Sequence, residues 1–382
     1  MFTRLYIHIP FCLKKCPYCA FFSQEHSTGD SDQYTDLLSA EMSLVAERTT
    51  TRQELDSVYF GGGTPSLMDP RQVARLIEQA VHLFGLAAHA EITLEANPGT
   101  VDYHRLAEFR QSGVNRLSLG IQSFDDRMLT TLGRIHTAQE ARSAFAAARR
   151  ANFKNIGIDL INSLPGQTQE IWRTDLEQAL HLAPEHLSIY GLTIEEDTRF
   201  AARYAENSPL LPDEDLAAEM FEAADDLLGS HGYEHYEIAN YSLPGFRSRH
   251  NSGYWHRDGY LGLGAGAHSF LDDVGYGTRY SNVADLGAYT QALNKGELPR
   301  RDLMQLSHGD AVAEHMFLGL RMSDGVSFEN FEREFGITLK EVFGEALELL
   351  QTQELLSADK AAVRLTRRGM LLSNHVFRHF LP

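Results

Sequence analysis

The sequence Cys12-Leu13-Lys14-Lys15-Cys16-Pro17-Tyr18-Cys19 holds every cysteine of this 382-residue chain. A cluster of three thiols, with no distant cysteine to pair with, argues against a disulfide framework and favours metal ligation. Three thiolates can ligate three irons of a [4Fe–4S] cluster and leave the fourth iron open to a small molecule. Cys12, Cys16 and Cys19 are therefore predicted to hold a [4Fe–4S] cluster.

A zinc ion is the alternative occupant of this motif. Structural zinc normally takes four Cys or His ligands, and His8 or His26 could supply the fourth. The spacing nevertheless favours the cluster, because the chain has no fourth cysteine.

The cysteine motif follows the first of six short apolar runs that read as strands, separated by segments with apolar residues at helical spacing. The predicted strands are Leu5–Ile9, Ser57–Phe60, Glu91–Glu95, Arg116–Gly120, Asn155–Leu160 and His186–Tyr190. The predicted helices are Asp30–Arg48, Pro70–Phe84, Asp102–Ser112, Thr137–Ala151 and Gln169–Leu182. This alternation predicts a parallel sheet with right-handed crossovers, either open or curved into a partial barrel. The motif then lies at the C-terminal edge of the strands, where sites gather in such folds.

The pattern changes in the second half of the chain. A helix is predicted over Asp213–Ser230 and a strand over Tyr233–Ile238, followed by an irregular stretch from Asn240 to Tyr280. The last part resembles a winged helix. Its predicted helices are His308–Arg321, Phe328–Phe335, Leu339–Gln351 and Arg367–Phe380, with a hairpin of Leu355–Ser357 and Ala362–Leu365.

Composition narrows the function classes. The net charge of −18 repels phosphate backbones, so binding to nucleic acid is not expected without a local basic patch. Such a patch could come from the C-terminal part, which carries the basic residues Arg364, Arg367, Arg368 and Arg378. Because a winged-helix layout alone does not establish DNA binding, a DNA-binding regulator is a minor interpretation. With no apolar run long enough to span a bilayer and no signal peptide at its start, the chain is predicted to be cytoplasmic.

The cysteine spacing, preceded by Tyr6-Ile7-His8-Ile9-Pro10-Phe11 and followed by Ala20-Phe21-Phe22-Ser23, resembles the radical SAM superfamily. More narrowly, nearly the whole chain resembles the oxygen-independent coproporphyrinogen III oxidase-like family, which includes a branch of heme chaperones. The resemblance implies an α/β fold: a radical SAM partial (β/α)6 barrel with a C-terminal extension that includes a winged-helix-like helical domain. The expected domains are a barrel with the cluster and S-adenosylmethionine (SAM) site over residues 1–195, an α+β extension over 196–305 and the winged-helix-like domain over 306–382.

The glycine-rich segment Gly61-Gly62-Gly63-Thr64-Pro65 directly follows the second strand. Glycines let the backbone approach a ligand, although a tight turn is the ordinary explanation of such a segment. Within the family resemblance, Gly62, Gly63 and Thr64 are implied to bind the amine end of SAM. The resemblance implies further SAM contacts at Tyr6, Glu95, Gln122, Arg134, Asp159 and Thr193.

Three of these contacts have an implied partner on SAM. Arg134 would pair with the carboxylate through its planar guanidinium, Asp159 would accept from the ribose and Glu95 would contact the ligand as an acid. Each residue taken alone has a structural explanation, but together they occupy successive strand ends at one edge of the sheet.

The motif His250-Asn251-Ser252-Gly253-Tyr254-Trp255 marks the heme-chaperone branch, in which the resemblance implies heme binding. A neutral imidazole from His250 suits heme iron, and Tyr254 and Trp255 offer flat apolar surface to a macrocycle, with Asn251 beside them. The structural alternative is a loop histidine packed beside two core aromatics.

The resemblance therefore implies a heme chaperone that keeps a [4Fe–4S] cluster with exchangeable SAM and passes heme to acceptors such as respiratory enzymes. The alternative is oxidative decarboxylation of coproporphyrinogen III. That enzyme's motif continues with a fourth cysteine where this chain has Phe21, which argues against oxidase activity. Membrane contact is expected only peripherally, through partners, and no motif specifies an oligomeric state.

Overall fold

The computed structural model describes residues 1–27, 30–49, 53–204, 208–272 and 275–381. The strands are β1 Arg4–Ile9, β2 Phe11–Cys12, β3 Gln24–Glu25, β4 Leu55–Gly62, β5 Leu86–Ala96, β6 Arg116–Gln122, β7 Ile156–Asn162, β8 His186–Gly191, β9 Glu234–Glu237, β10 Asn240–Ser242, β11 Tyr260–Leu263, β12 His268–Leu271, β13 Thr278–Asn282, β14 Arg300–Gln305, β15 Val326–Ser327, β16 Leu356–Ala358 and β17 Ala362–Leu365. The helices are α1 Asp30–Arg48, α2 Pro70–Phe84, α3 Tyr103–Gln111, α4 Asp126–Thr131, α5 Ala138–Arg150, α6 Gln169–Leu182, α7 Arg199–Arg203, α8 Glu214–Ser230, α9 Arg249–Trp255, α10 Leu286–Asn294, α11 His308–Gly319, α12 Phe328–Phe335, α13 Leu339–Thr352, α14 Arg367–Leu371 and α15 Ser373–Arg378.

One large sheet organises the chain, with strand order β14-β13-β12-β11-β1-β4-β5-β6-β7-β8-β10-β9. The seven central strands, from β11 to β8, run parallel, and antiparallel strands extend both edges. Over the residues described, β14 and β9 are the two ends of the order, so the sheet does not close. The predicted α/β partial barrel is confirmed.

Alternation along the strands separates two faces of the sheet. On β1, Leu5, Ile7 and Ile9 are fully buried in the hydrophobic core that the helices share, for example through Leu38 of α1 and Val73 of α2. The residues between them on β1 point to the opposite, concave face. That face is polar and holds the candidate site.

Helix starts follow local signals in the sequence. Asp69 caps α2 by accepting from the Arg71 amide, Gln72 completes a capping box, and Pro70 occupies the first turn. Thr137 and Glu140 cap α5 in the same way. Because such signals are local, the predicted helices Asp30–Arg48, Pro70–Phe84 and Gln169–Leu182 coincide with α1, α2 and α6.

The stretch predicted to be irregular, from Asn240 to Tyr280, differs from that expectation. It contains β10, α9, β11, β12 and the start of β13. Its strands are short and glycines are frequent between them, so local propensity is weak and the neighbouring strands of the sheet decide the conformation.

The C-terminal part has its own hydrophobic cluster, which includes Met316, Phe331, Leu350 and Phe380. A three-stranded sheet of order β15-β17-β16 packs with helices α11 to α15, in agreement with the winged-helix-like prediction. The single predicted helix Arg367–Phe380 is instead two helices, because Leu372 between them leaves helical geometry, with φ −101° and ψ 26°.

Candidate functional site

A cavity of about 500 Å³ opens at the C-terminal ends of the parallel strands. Cys12, Cys16 and Cys19 all line it, as the sequence predicted for one shared site. Every predicted SAM contact except Tyr6 lines the same cavity: Gly62, Gly63, Thr64, Glu95, Gln122, Arg134, Asp159 and Thr193. The volume lies within the range of small-molecule and cofactor sites.

The three thiols are free and partly buried, and the surrounding backbone holds their loop. The Cys19 amide donates to the Cys16 carbonyl at 3.2 Å. The Thr64 hydroxyl lies 3.5 Å from Cys12 Sγ. Arg134 Nη1 lies 3.7 Å from Cys16 Sγ, so a cation faces one of the three thiols. Three thiols with a cation beside them at a cavity fit a [4Fe–4S] cluster.

The zinc alternative needs a fourth ligand. Both ring nitrogens of His8 are already engaged, Nδ1 with the Tyr6 hydroxyl at 3.1 Å and Nε2 with the Phe22 carbonyl at 2.9 Å. Across the described ranges, no three His, Cys, Asp or Glu side chains are grouped to hold one metal ion. His8 is therefore a structural residue rather than a zinc ligand in this conformation.

The glycine segment is shaped by close backbone packing. A Cβ atom at Gly63 would lie 2.7 Å from the Phe11 carbonyl oxygen, and the Gly63 amide donates to the Ile9 carbonyl at 2.8 Å. Gly62 has φ +113°, which disfavours any side chain. Gly62 is therefore required as glycine by its positive φ, and Gly63 by its contact with the backbone that leads into Cys12.

Glu95 is one of the acids that line the cavity. Its carboxylate accepts from the Tyr59 hydroxyl at 2.8 Å and from the Gly62 amide at 3.1 Å. Burial raises the pKa of Glu95 to about 7. A buried carboxylate at the edge of a cavity suits a cationic group such as the SAM amine.

Asp159 and Arg134 lie on the same cavity. The Ser118 hydroxyl lies 3.1 and 3.2 Å from the two Asp159 oxygens, and burial raises the pKa of Asp159. Arg134 Nη2 donates to the Gly120 carbonyl at 2.6 Å. Its Nε is buried and has no hydrogen-bond partner among the described residues. Arg134 lines the cavity, and a guanidinium at a cavity fits a carboxylate ligand.

The lining of the cavity differs from the predicted set of residues in two ways. Tyr6 does not line the cavity. Its hydroxyl is instead hydrogen-bonded to Nδ1 of His8, two residues further along β1. Tyr18, Ser118 and Tyr190 do line it and were missed. Ser118 could have been found, because it lies two residues before Gly120 on β6 and so shares its face.

The predicted heme motif lies away from the cavity. His250 on α9 is fully buried, Nδ1 bonds to the Ser57 hydroxyl at 2.8 Å, and Nε2 bonds to the Tyr254 hydroxyl at 2.7 Å. Neither ring nitrogen is free for iron in this conformation. Trp255 packs under the Arg321 guanidinium at 4.2 Å, and Asn251 is partly buried on the same helix. The heme contact at this motif stays a prediction.

Of the four C-terminal arginines that could form a DNA-binding patch, two form ion pairs with aspartates of this chain. Arg364 pairs with Asp359 at 2.8 Å, and Arg367 pairs with Asp225 at 3.0 Å and with Asp226 at 2.7 Å. Two of the four guanidiniums thus face the protein's own carboxylates. As for membranes, none of the helices in the described ranges combines the length and apolarity needed for a crossing.

Comparison with known proteins agrees with the fold. The model of the radical SAM superfamily matches residues 6–179, and the HemN C-terminal domain model matches residues 306–372. Heme chaperone HemW from Lactococcus lactis is 37% identical over 98% of this chain and 96% of its own. Heme chaperone HemW from Bacillus subtilis is 35% identical over 98% of each chain. The structure of coproporphyrinogen III oxidase (HemN) from Escherichia coli has a TM-score of 0.85 at 24% identity, covering 99% of this chain and 90% of that one, which shows a common fold.

The partial barrel and the thiol-lined cavity at its strand ends define a radical SAM protein. Full-length similarity to named relatives narrows this class. The chain belongs to the HemW family.

Proposed function

We propose that this chain is a cytoplasmic heme chaperone that holds a [4Fe–4S] cluster with exchangeable SAM and passes heme to acceptor proteins such as respiratory enzymes. The observation that carries the proposal is the convergence of three thiols and the predicted SAM contacts on one cavity in a member of the HemW family. The names of the relatives support heme as the cargo.

Cys12, Cys16 and Cys19 would hold the cluster, which when bound supplies the electron for reductive cleavage of SAM. The chain's own residues bind and orient that ligand. Glu95 would receive the SAM amine, and Arg134, which lines the cavity, would receive the carboxylate. Asp159, held by Ser118, would accept from the ribose hydroxyls. Burial of these groups strengthens each contact because it excludes water.

We further propose that heme contacts this chain at His250, Asn251, Tyr254 and Trp255. This contact requires a local change of structure around His250. One ring nitrogen must leave its hydroxyl partner, Ser57 or Tyr254, before it can meet iron. Because His250 is fully buried, side chains around it or helix α9 itself would have to move when heme binds.

An anaerobic titration of iron, sulfide and hemin tests the proposal on wild type, Cys16→Ala and His250→Ala. We expect a cluster and a Soret band in wild type, loss of the cluster in Cys16→Ala and a weaker Soret band in His250→Ala. Wild-type protein that takes up zinc, or no metal at all, would overturn the cluster assignment, and failure to bind hemin would overturn the heme assignment.

The oxidase alternative is tested with the same reconstituted protein. Phe21, which stands at the position of that enzyme's fourth cysteine, is 67% exposed at the mouth of the cavity. We expect no protoporphyrinogen when the protein is incubated with SAM, reductant and coproporphyrinogen III. Sustained turnover would contradict the chaperone proposal.

A further inference from the structure

Helix α9 packs on the concave face of the sheet at the end opposite the cavity. The Glu91 carboxylate anchors its start by accepting from the amides of Arg249 and His250, both at 3.1 Å. At the same end, Arg4 of β1 forms an ion pair of 2.8 Å with Asp258, just after the helix. These contacts fix the backbone of α9, so the His250 side chain enters the sheet interior at a defined point.

The interior residues of the strands form successive layers between α9 and the cavity. Arg4, Ser57 and Glu91 are register neighbours in the first layer, which contacts α9. Tyr6 and Tyr59 are register partners in the next layer.

The third layer reaches the cavity. It contains Glu95 and its register partner Ser118, which both line the cavity. Because side chains on one face recur every second residue, Ser57 and Tyr59 on β4 and Glu91 and Glu95 on β5 all point inward. The same two strands thus contact α9 at one end and line the SAM site at the other.

Tyr59 connects the two ends. Its ring packs on the His250 imidazole, with centroids 5.0 Å apart and planes 31° apart, and its hydroxyl donates to Glu95 at 2.8 Å. Tyr59 is almost completely buried, so its ring orientation depends on the side chains that surround it. The His250 ring is the packing partner on the side of α9.

We infer that His250 is a positioning residue for the SAM site: it fixes the ring of Tyr59, which orients the Glu95 carboxylate toward the cavity. The inference rests on the SAM site proposed above and is independent of whether His250 ever ligates heme. His250, on a helix remote from the cysteines, would then be needed to keep the cavity in its binding geometry.

The test measures the dissociation constant of SAM for anaerobically reconstituted full-length protein, together with the SAM-induced change in the EPR spectrum of the reduced cluster. Tyr59→Phe removes only the hydroxyl that bonds to Glu95. His250→Ala removes the ring beneath Tyr59, whereas His250→Gln keeps a polar group of similar reach. The control is His256→Ala, which removes an exposed histidine at the end of the same helix.

We expect SAM to bind about tenfold more weakly to Tyr59→Phe and His250→Ala, with a smaller EPR change at unchanged iron content. His250→Gln should recover most of the affinity and His256→Ala all of it. Wild-type affinity in Tyr59→Phe or in a folded His250→Ala would overturn the inference. If His250→Ala does not fold, Tyr59→Phe and His250→Gln decide. A wild-type protein that binds no SAM would instead overturn the proposed site itself.

Discussion

Arg134 lies against Cys16, with Nη1 3.7 Å from Sγ, while Nη2 of the same guanidinium donates to the Gly120 carbonyl. One side chain therefore bridges the cysteine loop and the end of β6. Its Nε is buried and has no hydrogen-bond partner among the described residues, so the guanidinium has a donor that this conformation does not use.

Replacement of Arg134 by Lys should weaken SAM binding more than cluster binding. A lysine ammonium keeps the positive charge near Cys16 but loses the planar fork that can contact Gly120 and a carboxylate together. We expect a dissociation constant for SAM about tenfold higher, with iron and sulfide content close to wild type. Equal SAM affinity in both proteins would show that Arg134 serves the cysteine loop alone.

Gly63→Ala should prevent cluster incorporation. The new Cβ would meet the Phe11 carbonyl oxygen at 2.7 Å and its amide nitrogen at 2.9 Å, so the backbone beside Cys12 must move. Iron and sulfide content after reconstitution is the measurement. Gly229→Ala is the matched control: it lies on helix α8, and outside its own helix no described atom lies within 4 Å of the added carbon. The control should keep its cluster and gain about 1 kcal/mol of unfolding free energy. A full cluster in Gly63→Ala would contradict the packing argument.

Asp175 should make the protein less stable as the pH rises. It is buried, accepts from the Ser123 hydroxyl at 2.8 Å and the Phe124 amide at 2.6 Å, and burial raises its pKa to about 6. Because the folded pKa exceeds the ordinary value of 3.8, the unfolded chain ionises first, and stability falls between pH 4 and pH 6. Asp175→Asn removes this titration and keeps an acceptor for the Phe124 amide.

The unfolding free energy of cluster-free Asp175→Asn, relative to wild type, should therefore increase by about 1 kcal/mol from pH 5 to pH 8. Chemical denaturation at the two pH values measures it. Asp175→Ala, which leaves the Phe124 amide without its acceptor, should be less stable than Asp175→Asn at both. A difference between wild type and Asp175→Asn that does not change with pH would rule out titration of this carboxyl.

Phe331→Ala should destabilise the C-terminal part without emptying the cavity. Phe331 is fully buried in the cluster that includes Met316 and Phe335, and truncation of such a ring costs about 3–5 kcal/mol. We expect proteolysis to begin within residues 306–381 while iron content after reconstitution stays near wild type. Loss of the cluster in this variant would mean that the cysteine loop depends on the C-terminal part.

The sequence predicted the local features of the fold well. Strands, helix caps and the cysteine spacing depend on neighbours in the chain, so the six parallel strands and α1, α2 and α6 were found. The break of the predicted final helix at Leu372 was missed, because the segment contains no Pro and its one glycine, Gly369, lies three residues before the break.

The interior of the site was less predictable, because its contacts join distant strands. The bond from Tyr59 to Glu95 spans 36 residues, and the bond between Ser57 and His250 spans 193. Sequence pattern placed Glu95 at a strand end but gave no sign that Tyr59 would reach it. The alternative of a histidine packed beside aromatic side chains allowed for a buried His250, but the sequence did not show that Ser57 and Tyr59 would be its neighbours.

The position of His250 has a thermodynamic consequence if heme iron captures its imidazole. Withdrawal of the His250 ring would free Tyr59 to rotate. The Glu95 carboxylate at the cavity would then lose the hydrogen bond that orients it. Two equilibria that share one movable side chain are linked, and linkage acts equally in both directions. Heme and SAM would then weaken each other's binding. A protein molecule with heme bound would release SAM more readily, and one with SAM bound would release heme more readily.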